Sequence, residues 1–218
     1  MKRLIGSLAL SVATTAVLAV ADDFQTIYSG KTPTAAGWLI NKGGHLPAPN
    51  ATPEGINPHK SGGYIVMYEK PAKDFVLDFD YKLSPKCNSG VFLRVADPKD
   101  PVMTGIEIAL DDTTGTTVHD SGAFYDLVPP RLNAQKPAGQ WNHMTITARG
   151  PRIDIVLNDQ PVSSINLVEW TQPGKRPDGS NHKFRAVTLK DFDRPGHFGF
   201  QDHGQDCWFQ NVRLKTLD

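Results

Sequence analysis

Hydrophobic and polar residues alternate with a period of two in nearly every patterned segment of this chain. The segment FVLDFDYKL, residues 75–83, is an example, because its large apolar side chains fall on one face. The same alternation recurs in SGVFLRV, GIEIALD, WNHMTITA, RIDIVL, GHFGFQ and WFQNVRLKTL. Successive side chains of a β-strand point to opposite faces, so this pattern predicts half-buried strands rather than amphipathic helices.

Turn-forming residues separate the predicted strands. The segment RGPRIDIVLNDQPV, residues 149–162, predicts a hairpin around Asn158-Asp159. Many short strands with frequent turns predict an all-β fold, specifically an antiparallel sandwich. Two longer segments, 46–63 and 170–183, show no periodicity, and loops of that length are often functional.

The alternation also predicts which side chains leave the core. If Val91, Leu93 and Val95 face the core, then Arg94 faces away from it, and the same parity applies to the later strands. The face opposite to the core is predicted to carry a mixed set of polar side chains: Arg94, Glu107, Asp111, Gln201 and His203.

The first residues predict export. Lys2 and Arg3 precede an uncharged stretch rich in Leu, Ala and Val, and small residues follow before Asp22. This arrangement is typical of a secretory signal peptide, which we assign to residues 1–21, leaving residues 22–218 as one domain. The protein is therefore predicted to be periplasmic or secreted, without stable membrane insertion. An uncleaved membrane anchor is the alternative.

The overall charge argues against two classes of partner. Lys plus Arg and Asp plus Glu each total 23, so the formal net charge is zero. Without a basic excess, neither nucleic acid nor an anionic membrane surface is a predicted partner. The sequence does not predict the oligomeric state.

Several motifs occur in an order that resembles one protein family. They are CNSGVFLR, GIEIALDD, SGAFYDLVPP, GQWNHMTITARGPRIDIVLNDQPV and GHFGFQDHGQDCWFQNVRLKTL. Together they resemble the 3-keto-disaccharide hydrolase domain family, from about Phe24 to Leu217. The resemblance implies a concanavalin A-like jelly roll of two antiparallel sheets, one of them curved around a carbohydrate-binding face.

The resemblance also implies the substrate, a small carbohydrate whose C3 hydroxyl has been oxidised to a ketone. The expected function is an exported enzyme that cleaves the glycosidic bond of 3-keto-glycosides or 3-keto-disaccharides. A non-catalytic carbohydrate-binding module is the alternative, because this fold hosts both kinds of protein.

A C3 ketone acidifies the proton at C2, which favours a route unlike that of ordinary two-carboxylate glycosidases. A general base would remove the C2 proton, the C1 oxygen would leave with help from an acid, and water would add afterwards. We assign Glu107 and His203 as the proton-transfer partners and Arg94 as the donor that stabilises the anion.

Five further residues are predicted to belong to the site. Tyr125 could donate to a sugar oxygen or assist the leaving group. Asp111, Gln201 and His119 are predicted to orient hydroxyl groups. Trp170 lies in the second irregular segment, where it could stack on a sugar ring or simply pack in the core.

Each catalytic assignment has a structural alternative. Arg94 and Glu107 could form an ion pair between strands, His203 could cap a turn, Asp111 could stabilise one, and Tyr125 could fill the core. A divalent ion bound by Glu107, Asp111 and His203 is a further alternative. Their spacing matches no dedicated metal motif, so no metal and no cofactor is predicted.

The implied jelly roll makes a prediction about the two cysteines, Cys87 and Cys207. In that fold the last strand, 208–217, would pair antiparallel with strand 75–83, which brings Cys207 close to Cys87. We therefore expect a Cys87–Cys207 disulfide, which would stabilise the fold by closing a long loop.

Overall fold

The computed structural model describes residues 23–217, which form two antiparallel β-sheets. The assigned signal peptide lies outside the described residues, so this assignment and the domain boundary stay predictions. Within the described part of the chain, no helix is long and apolar enough to cross a membrane.

Short strands follow one another along the chain, and one α-helical turn interrupts them. The strands are β1 (Gln25–Tyr28), β2 (Trp38–Ile40), β3 (Ala51–Thr52), β4 (Gly55–Ile56), β5 (Ile65–Tyr68), β6 (Phe75–Leu83), β7 (Asn88–Val95), β8 (Ile106–Asp111), β9 (Trp141–Arg149), β10 (Arg152–Leu157), β11 (Gln160–Asn166), β12 (His197–Gln201) and β13 (Cys207–Thr216). The helix α1 spans Pro101–Thr104, and 3-10 helices span Ala48–Asn50, Leu167–Glu169 and Leu189–Phe192.

The strands are arranged as a jelly-roll sandwich. The larger sheet has the order β11-β10-β9-β6-β13-β4-β3, and β1 also pairs with β13. The smaller sheet has the order β2-β5-β12-β7-β8. The strand pairs in both sheets are antiparallel. The predicted fold class is confirmed.

The core lies between the two sheets and consists of the inward faces of their strands. Phe79 of β6 and Phe200 of β12 are fully buried, and their ring centroids lie 5.7 Å apart. Phe200 also stacks on Phe209 of β13, with a centroid distance of 3.8 Å. The period-two pattern therefore identified the inward residues of these strands correctly.

The predicted hairpin is confirmed. Strands β10 and β11 are joined by Asn158 and Asp159, whose φ angles are 48° and 64°. A tight two-residue hairpin turn of this kind requires positive φ at both central residues, which Asn and Asp tolerate better than most residue types.

The parity prediction fails at the end of β7. His197 pairs with Val95 and Gly199 with Phe92, so β7 has one more residue than β12 over this stretch. The extra residue makes a β-bulge, at which Arg94 adopts a φ of 53°. After the bulge, the side chains of β7 point to the opposite side of the sheet. Val95 therefore joins Phe92 in a separate apolar cluster outside the main core.

Arg94 is consequently a structural residue of the fold. Its side chain is fully buried and its guanidinium binds three separate backbone segments. The acceptors are the carbonyl oxygens of Lys73 at 2.9 Å, Gly150 at 2.7 Å and Phe192 at 3.2 Å. The guanidinium also pairs with the carboxylates of Asp74 and Asp193, each at 3.4 Å. The sequence-based role of Arg94 as an anion-stabilising donor is therefore corrected, since its donors are directed at groups of the protein itself.

The strand pairing expected for the cysteines is confirmed, but the disulfide is not. Strand β13 pairs antiparallel with β6, and Cys207 lies opposite Leu83. Cys87 and Cys207 are both buried free thiols that lie close to each other. Burial raises the pKa of the Cys207 thiol well above its ordinary value, and the neighbouring Cys87 raises it further. This favours the thiol over the thiolate that oxidation requires.

Replacing Arg94 with lysine should lower the free energy of unfolding by about 3 kcal/mol, because one ammonium group cannot reach carbonyls on three segments. Arg152→Lys is the matched control, since Arg152 is exposed and its guanidinium binds Asp154 on its own strand. Urea denaturation should show the control close to wild type. An Arg94→Lys variant as stable as wild type would contradict the role assigned to Arg94.

Candidate active site

A pocket of about 160 Å³ opens on the outer face of the smaller sheet. We call this surface the site face; it carries Phe92 of β7, Glu107 of β8 and Gln201 of β12, all turned away from the core. The polar lining of the pocket comes from Tyr64, Asn88, Glu107, Tyr125, Lys183, Gln201 and His203.

Glu107 is the carboxylate of the pocket lining. It pairs with Phe92 across the β7–β8 ladder, and its side chain is 6% exposed. A Cβ atom at Gly90, on the neighbouring strand, would lie only 2.9 Å from Oε1 of Glu107. The absence of a side chain at Gly90 therefore leaves the space that the Glu107 carboxylate occupies.

Lys183 provides the positive charge that faces Glu107. Its Nζ lies 3.6 Å from Oε2 of Glu107 and 4.9 Å from the centre of the Tyr125 ring. Nζ is buried and has no partner at hydrogen-bonding distance. Glu107 thus pairs with Lys183, and not with Arg94, the partner that the sequence suggested as an alternative.

Lys183 reaches the site because its loop is held to the segment that follows β8. The carboxylate of Asp126 accepts a hydrogen bond from the backbone N–H of Lys183 at 2.6 Å. Arg176 donates to the carbonyl oxygens of Asp126 at 2.7 Å and Leu127 at 3.1 Å. These contacts fix the second irregular segment across one side of the pocket, as expected for a loop with a functional role.

Gln201 and Tyr64 form the opposite side of the pocket. Nε2 of Gln201 donates to the hydroxyl of Tyr64, while Oε1 of Gln201 is buried without a partner. A buried polar atom without a partner destabilises a protein by about 1–3 kcal/mol, and each such atom needs an explanation. Oε1 of Gln201 and Nζ of Lys183 line the same pocket, so a polar ligand would satisfy both.

The ionisation of Glu107 and Lys183 is shifted by their surroundings. Burial raises the pKa of Glu107, whereas the charge of Lys183 and the nearby His203 lower it in part. Burial lowers the pKa of Lys183, and Glu107 opposes that change. The pocket thus holds a carboxylate that is more basic than an exposed one, together with a cation.

The two tyrosines of the pocket keep their protons at neutral pH. Burial raises the pKa of Tyr64 and of Tyr125, and the negative charge of Glu107 raises both further. Each hydroxyl is therefore available as a hydrogen-bond donor to a ligand.

His203 lines the pocket, and Asp111 and His119 lie close to it. His203 is exposed immediately after β12, and its charge lowers the pKa of Asp111, which burial and two neighbouring aspartates raise overall. The ring of His119 lies 4.7 Å from that of Tyr125, centroid to centroid. Asp111 and His119 are therefore close to the site without lining the pocket itself.

Two predicted site residues lie elsewhere. Arg94 is buried at the bulge described above. Trp170 is 4% exposed and packs in the main core, with its ring 5.6 Å from that of His182. The 3-10 helix Leu167–Glu169 ends just before Trp170, and the Trp170 side chain points inward. The alternative of simple packing is therefore correct for this residue.

Three polar pocket residues were not assigned from the sequence: Tyr64, Asn88 and Lys183. The signal for Lys183 was its position at the end of an irregular loop, but nothing local distinguishes it from other lysines. Tyr64 follows a Gly-Gly pair and lies immediately before β5, where the alternation has not yet begun. In residues 23–217, no group of three or more His, Cys, Asp or Glu side chains is placed to hold a metal ion.

Known proteins are similar to this chain in sequence and in fold. The sequence model of one family, described as the 3-keto-alpha-glucoside-1,2-lyase-like domain, matches residues 23–215. A curated protein from Bacteroides thetaiotaomicron, named 3-keto-disaccharide hydrolase, is 26% identical over 234 residues. That alignment covers 91% of this chain and 80% of the relative.

Two crystal structures from Parabacteroides distasonis, each described as that of a candidate glycosyl hydrolase, have a similar architecture. One is 28% identical, with a TM-score of 0.63, and the match covers 70% of this chain and 83% of the other. The second is 21% identical, with a TM-score of 0.70 and coverage of 92% and 99%. At that lower identity the second match shows the fold alone.

Removing the charge of Lys183 should raise the pKa of Glu107 further, because the ammonium group stabilises the carboxylate. We expect Lys183→Met to move the Glu107 titration to higher pH. The shift can be measured by NMR of protein labelled with ¹³C at the glutamate carboxyl carbons, with Glu107→Gln to assign the signal. Lys190→Met, at an exposed lysine, should leave the midpoint in place. Equal midpoints in wild type and Lys183→Met would contradict the pairing.

Proposed function

Because the chain belongs to the 3-keto-alpha-glucoside-1,2-lyase-like domain family, we propose that it is an enzyme that cleaves the glycosidic bond of 3-keto-glycosides or 3-keto-disaccharides. The observation that carries this proposal is the buried Glu107–Lys183 pair beside the unpartnered Oε1 of Gln201. A non-catalytic binding module needs groups that bind sugar hydroxyls, but it does not need a desolvated acid–base pair.

The proposed reaction begins at C2 of the keto sugar. The carboxylate of Glu107 removes the C2 proton, which the C3 ketone acidifies, and the electron pair of the broken bond moves to the C3 oxygen as an enediolate. The raised pKa of Glu107 supports this role, because a more basic carboxylate takes a carbon-bound proton more readily.

Lys183 and Tyr64 are proposed to stabilise the negative charge that develops on the C3 oxygen. Nζ of Lys183 has no hydrogen-bond acceptor of its own, and the Tyr64 hydroxyl receives a bond from Gln201, which leaves its proton to donate. Donors held in place before the reaction each contribute about 10²–10³-fold to the rate. Lys183 thereby takes the role that sequence analysis assigned to Arg94.

Collapse of the enediolate then expels the substituent at C1. The electron pair on the C3 oxygen re-forms the ketone, a C1–C2 double bond forms, and the bond from C1 to the glycosidic oxygen breaks. His203 protonates the departing oxygen, and Tyr125 donates a hydrogen bond to it. After the leaving group departs, the carboxyl group of Glu107 exchanges its proton with solvent. Water then adds at C1 and gives a proton to His203, and Glu107 protonates C2, so that the net result is hydrolysis.

The remaining polar groups are proposed to hold the hydroxyls of the sugar. Oε1 of Gln201 is buried and accepts no hydrogen bond from the protein, which suits it to accept one from a substrate hydroxyl. Asp111 and His119 lie near the mouth, where hydroxyls more distant from the reacting carbons would be bound.

Export is a separate part of the proposal. The basic start, the uncharged stretch and the small residues before Asp22 support a secretory signal peptide at residues 1–21. The enzyme would then act on its substrate in the periplasm or outside the cell, and sequencing of the N-terminus of the mature protein, expected at Asp22, tests this.

Turnover of 3-keto-trehalose or of a methyl 3-keto-glucoside tests the catalytic proposal. Wild type should release the free 3-keto sugar. Glu107→Gln should lower kcat/KM by about 10³-fold and His203→Ala by about 10²-fold, the range expected for lost proton transfer. Glu69→Gln removes an exposed carboxylate elsewhere on the protein and should leave the rate unchanged.

Two results would contradict the proposal. Full activity of Glu107→Gln would remove this residue from the reaction. Glycan binding by wild type without turnover of any keto sugar would instead support the carbohydrate-binding module.

A further inference from the structure

The turn between β12 and β13, residues 202–206, carries His203, the proposed proton donor to the leaving group. His203 lines the pocket that contains Glu107, and its side chain is exposed. In the part of the chain that the structure describes, no hydrogen bond from the protein reaches the His203 ring. The position of this ring therefore depends on its backbone, and other residues must hold that backbone in place.

Asp202 gives the turn its shape. Oδ1 of its carboxylate accepts a hydrogen bond from the backbone N–H of Gly204 at 2.9 Å. An aspartate that binds the N–H two residues later forms an Asx turn, here with His203 at its centre. Gly204 has a φ of 93°, which residues with a side chain rarely adopt. The backbone on both sides of His203 is thus constrained through one carboxylate.

The first irregular segment of the sequence, 46–63, contacts the same carboxylate. Nδ1 of His59 lies 3.2 Å from Oδ1 of Asp202, 143 positions away in the chain. The backbone N–H of Lys60 donates to Oδ2 of Asp202 at 3.0 Å. An ionised carboxylate can only accept a hydrogen bond, so Nδ1 of His59 carries a proton. Both carboxylate oxygens of Asp202 therefore bind the irregular segment.

Lys60 makes its contact from an uncommon backbone conformation. Its φ is 61°, in the left-handed region that residues with a Cβ atom disfavour. Such conformations persist where surrounding contacts hold them, and they cluster at functional sites. The Lys60 side chain is exposed, so its packing does not account for this conformation. The hydrogen bond to Asp202 is the contact that uses it.

A buried asparagine fixes the irregular segment against the turn. Asn50 is 8% exposed, and its Nδ2 donates to the carbonyl oxygens of Asn57 at 2.8 Å and His59 at 2.9 Å. Nδ2 of Asn57 in turn donates to Oδ1 of Asp206 at 2.8 Å, at the other end of the turn. We call residues 57–60 the supporting loop, because they bind both ends of the turn.

We propose that His59 and Asp202 are positioning residues, which hold His203 where its ring can protonate the oxygen that leaves C1. The proposal rests on the function proposed above and adds to it two residues outside the pocket lining. Misplacing a reacting group by about 1 Å can lower a rate by about 10²-fold. Loss of these contacts should therefore slow protonation of the leaving group more than it slows removal of the C2 proton.

The kinetic test compares two leaving groups that differ in their need for a proton. 4-Nitrophenolate leaves as a stable anion, whereas methoxide must be protonated. In His59→Ala and Asp202→Ala, kcat/KM should fall about tenfold more for methyl than for 4-nitrophenyl 3-keto-glucoside, the direction also expected for His203→Ala. His59→Asn should recover most of the loss, because its Nδ2 can donate in place of Nδ1.

A histidine elsewhere on the surface provides the matched control. His45 is exposed and does not line the pocket, so His45→Ala should keep the wild-type ratio of the two rates. A wild-type ratio in both His59→Ala and Asp202→Ala, together with a lowered ratio in His203→Ala, would overturn the proposal. An equal loss with both substrates would indicate a general structural defect and would also overturn it.

A measurement without turnover separates this proposal from the catalytic one. By ¹⁵N relaxation, the order parameter of the His203 backbone amide should be about 0.85 in wild type and in His45→Ala, and below about 0.6 in Asp202→Ala. If this fall occurs but wild type cleaves neither substrate, the contacts still hold His203 and only the proposed function fails. An unchanged order parameter in Asp202→Ala, or a mobile His203 in wild type, would overturn the positioning role.

Discussion

The attraction between Glu107 and Lys183 is the interaction on which the candidate site depends. Both side chains are largely removed from water, and neither charge would be tolerated there alone. At their separation of 3.6 Å, an effective dielectric constant of about 20 gives an attraction of about 5 kcal/mol, which offsets part of the desolvation. Two buried atoms keep no hydrogen-bond partner: Nζ of Lys183 and Oε1 of Gln201. A substrate would form hydrogen bonds with both.

The fold brings this pair together by combining a rigid strand with an anchored loop. Glu107 is fixed by the β7–β8 ladder, and Gly90 leaves room for its carboxylate. Lys183 comes from a distant part of the chain and is held through the hydrogen bond from its backbone to Asp126. Two residues beyond Phe92, the ladder partner of Glu107, Arg94 links three backbone segments, so a buried cation supports the scaffold as well as the site.

Sequence patterns predicted the parts of this arrangement that follow from strand periodicity. The sandwich, the hairpin at Asn158-Asp159 and the outward orientation of Glu107 and Gln201 all follow from local alternation and turn chemistry. Arg94 was misplaced because a β-bulge changes parity without a sequence signal in the strand itself. Lys183 was missed for a different reason: its proximity to Glu107 depends on how a long loop packs, and no local pattern encodes that.

Incorporation of solvent deuterium at C2 tests the central claim most directly. Removal of the C2 proton by Glu107 predicts that turnover of a 3-keto-glucoside in ²H₂O gives a 3-keto sugar with deuterium at C2 from the earliest time points. A sample of the product incubated without enzyme corrects for spontaneous exchange. Product that retains its original C2 proton would show that the glycosidic bond breaks by direct displacement, and would contradict the account.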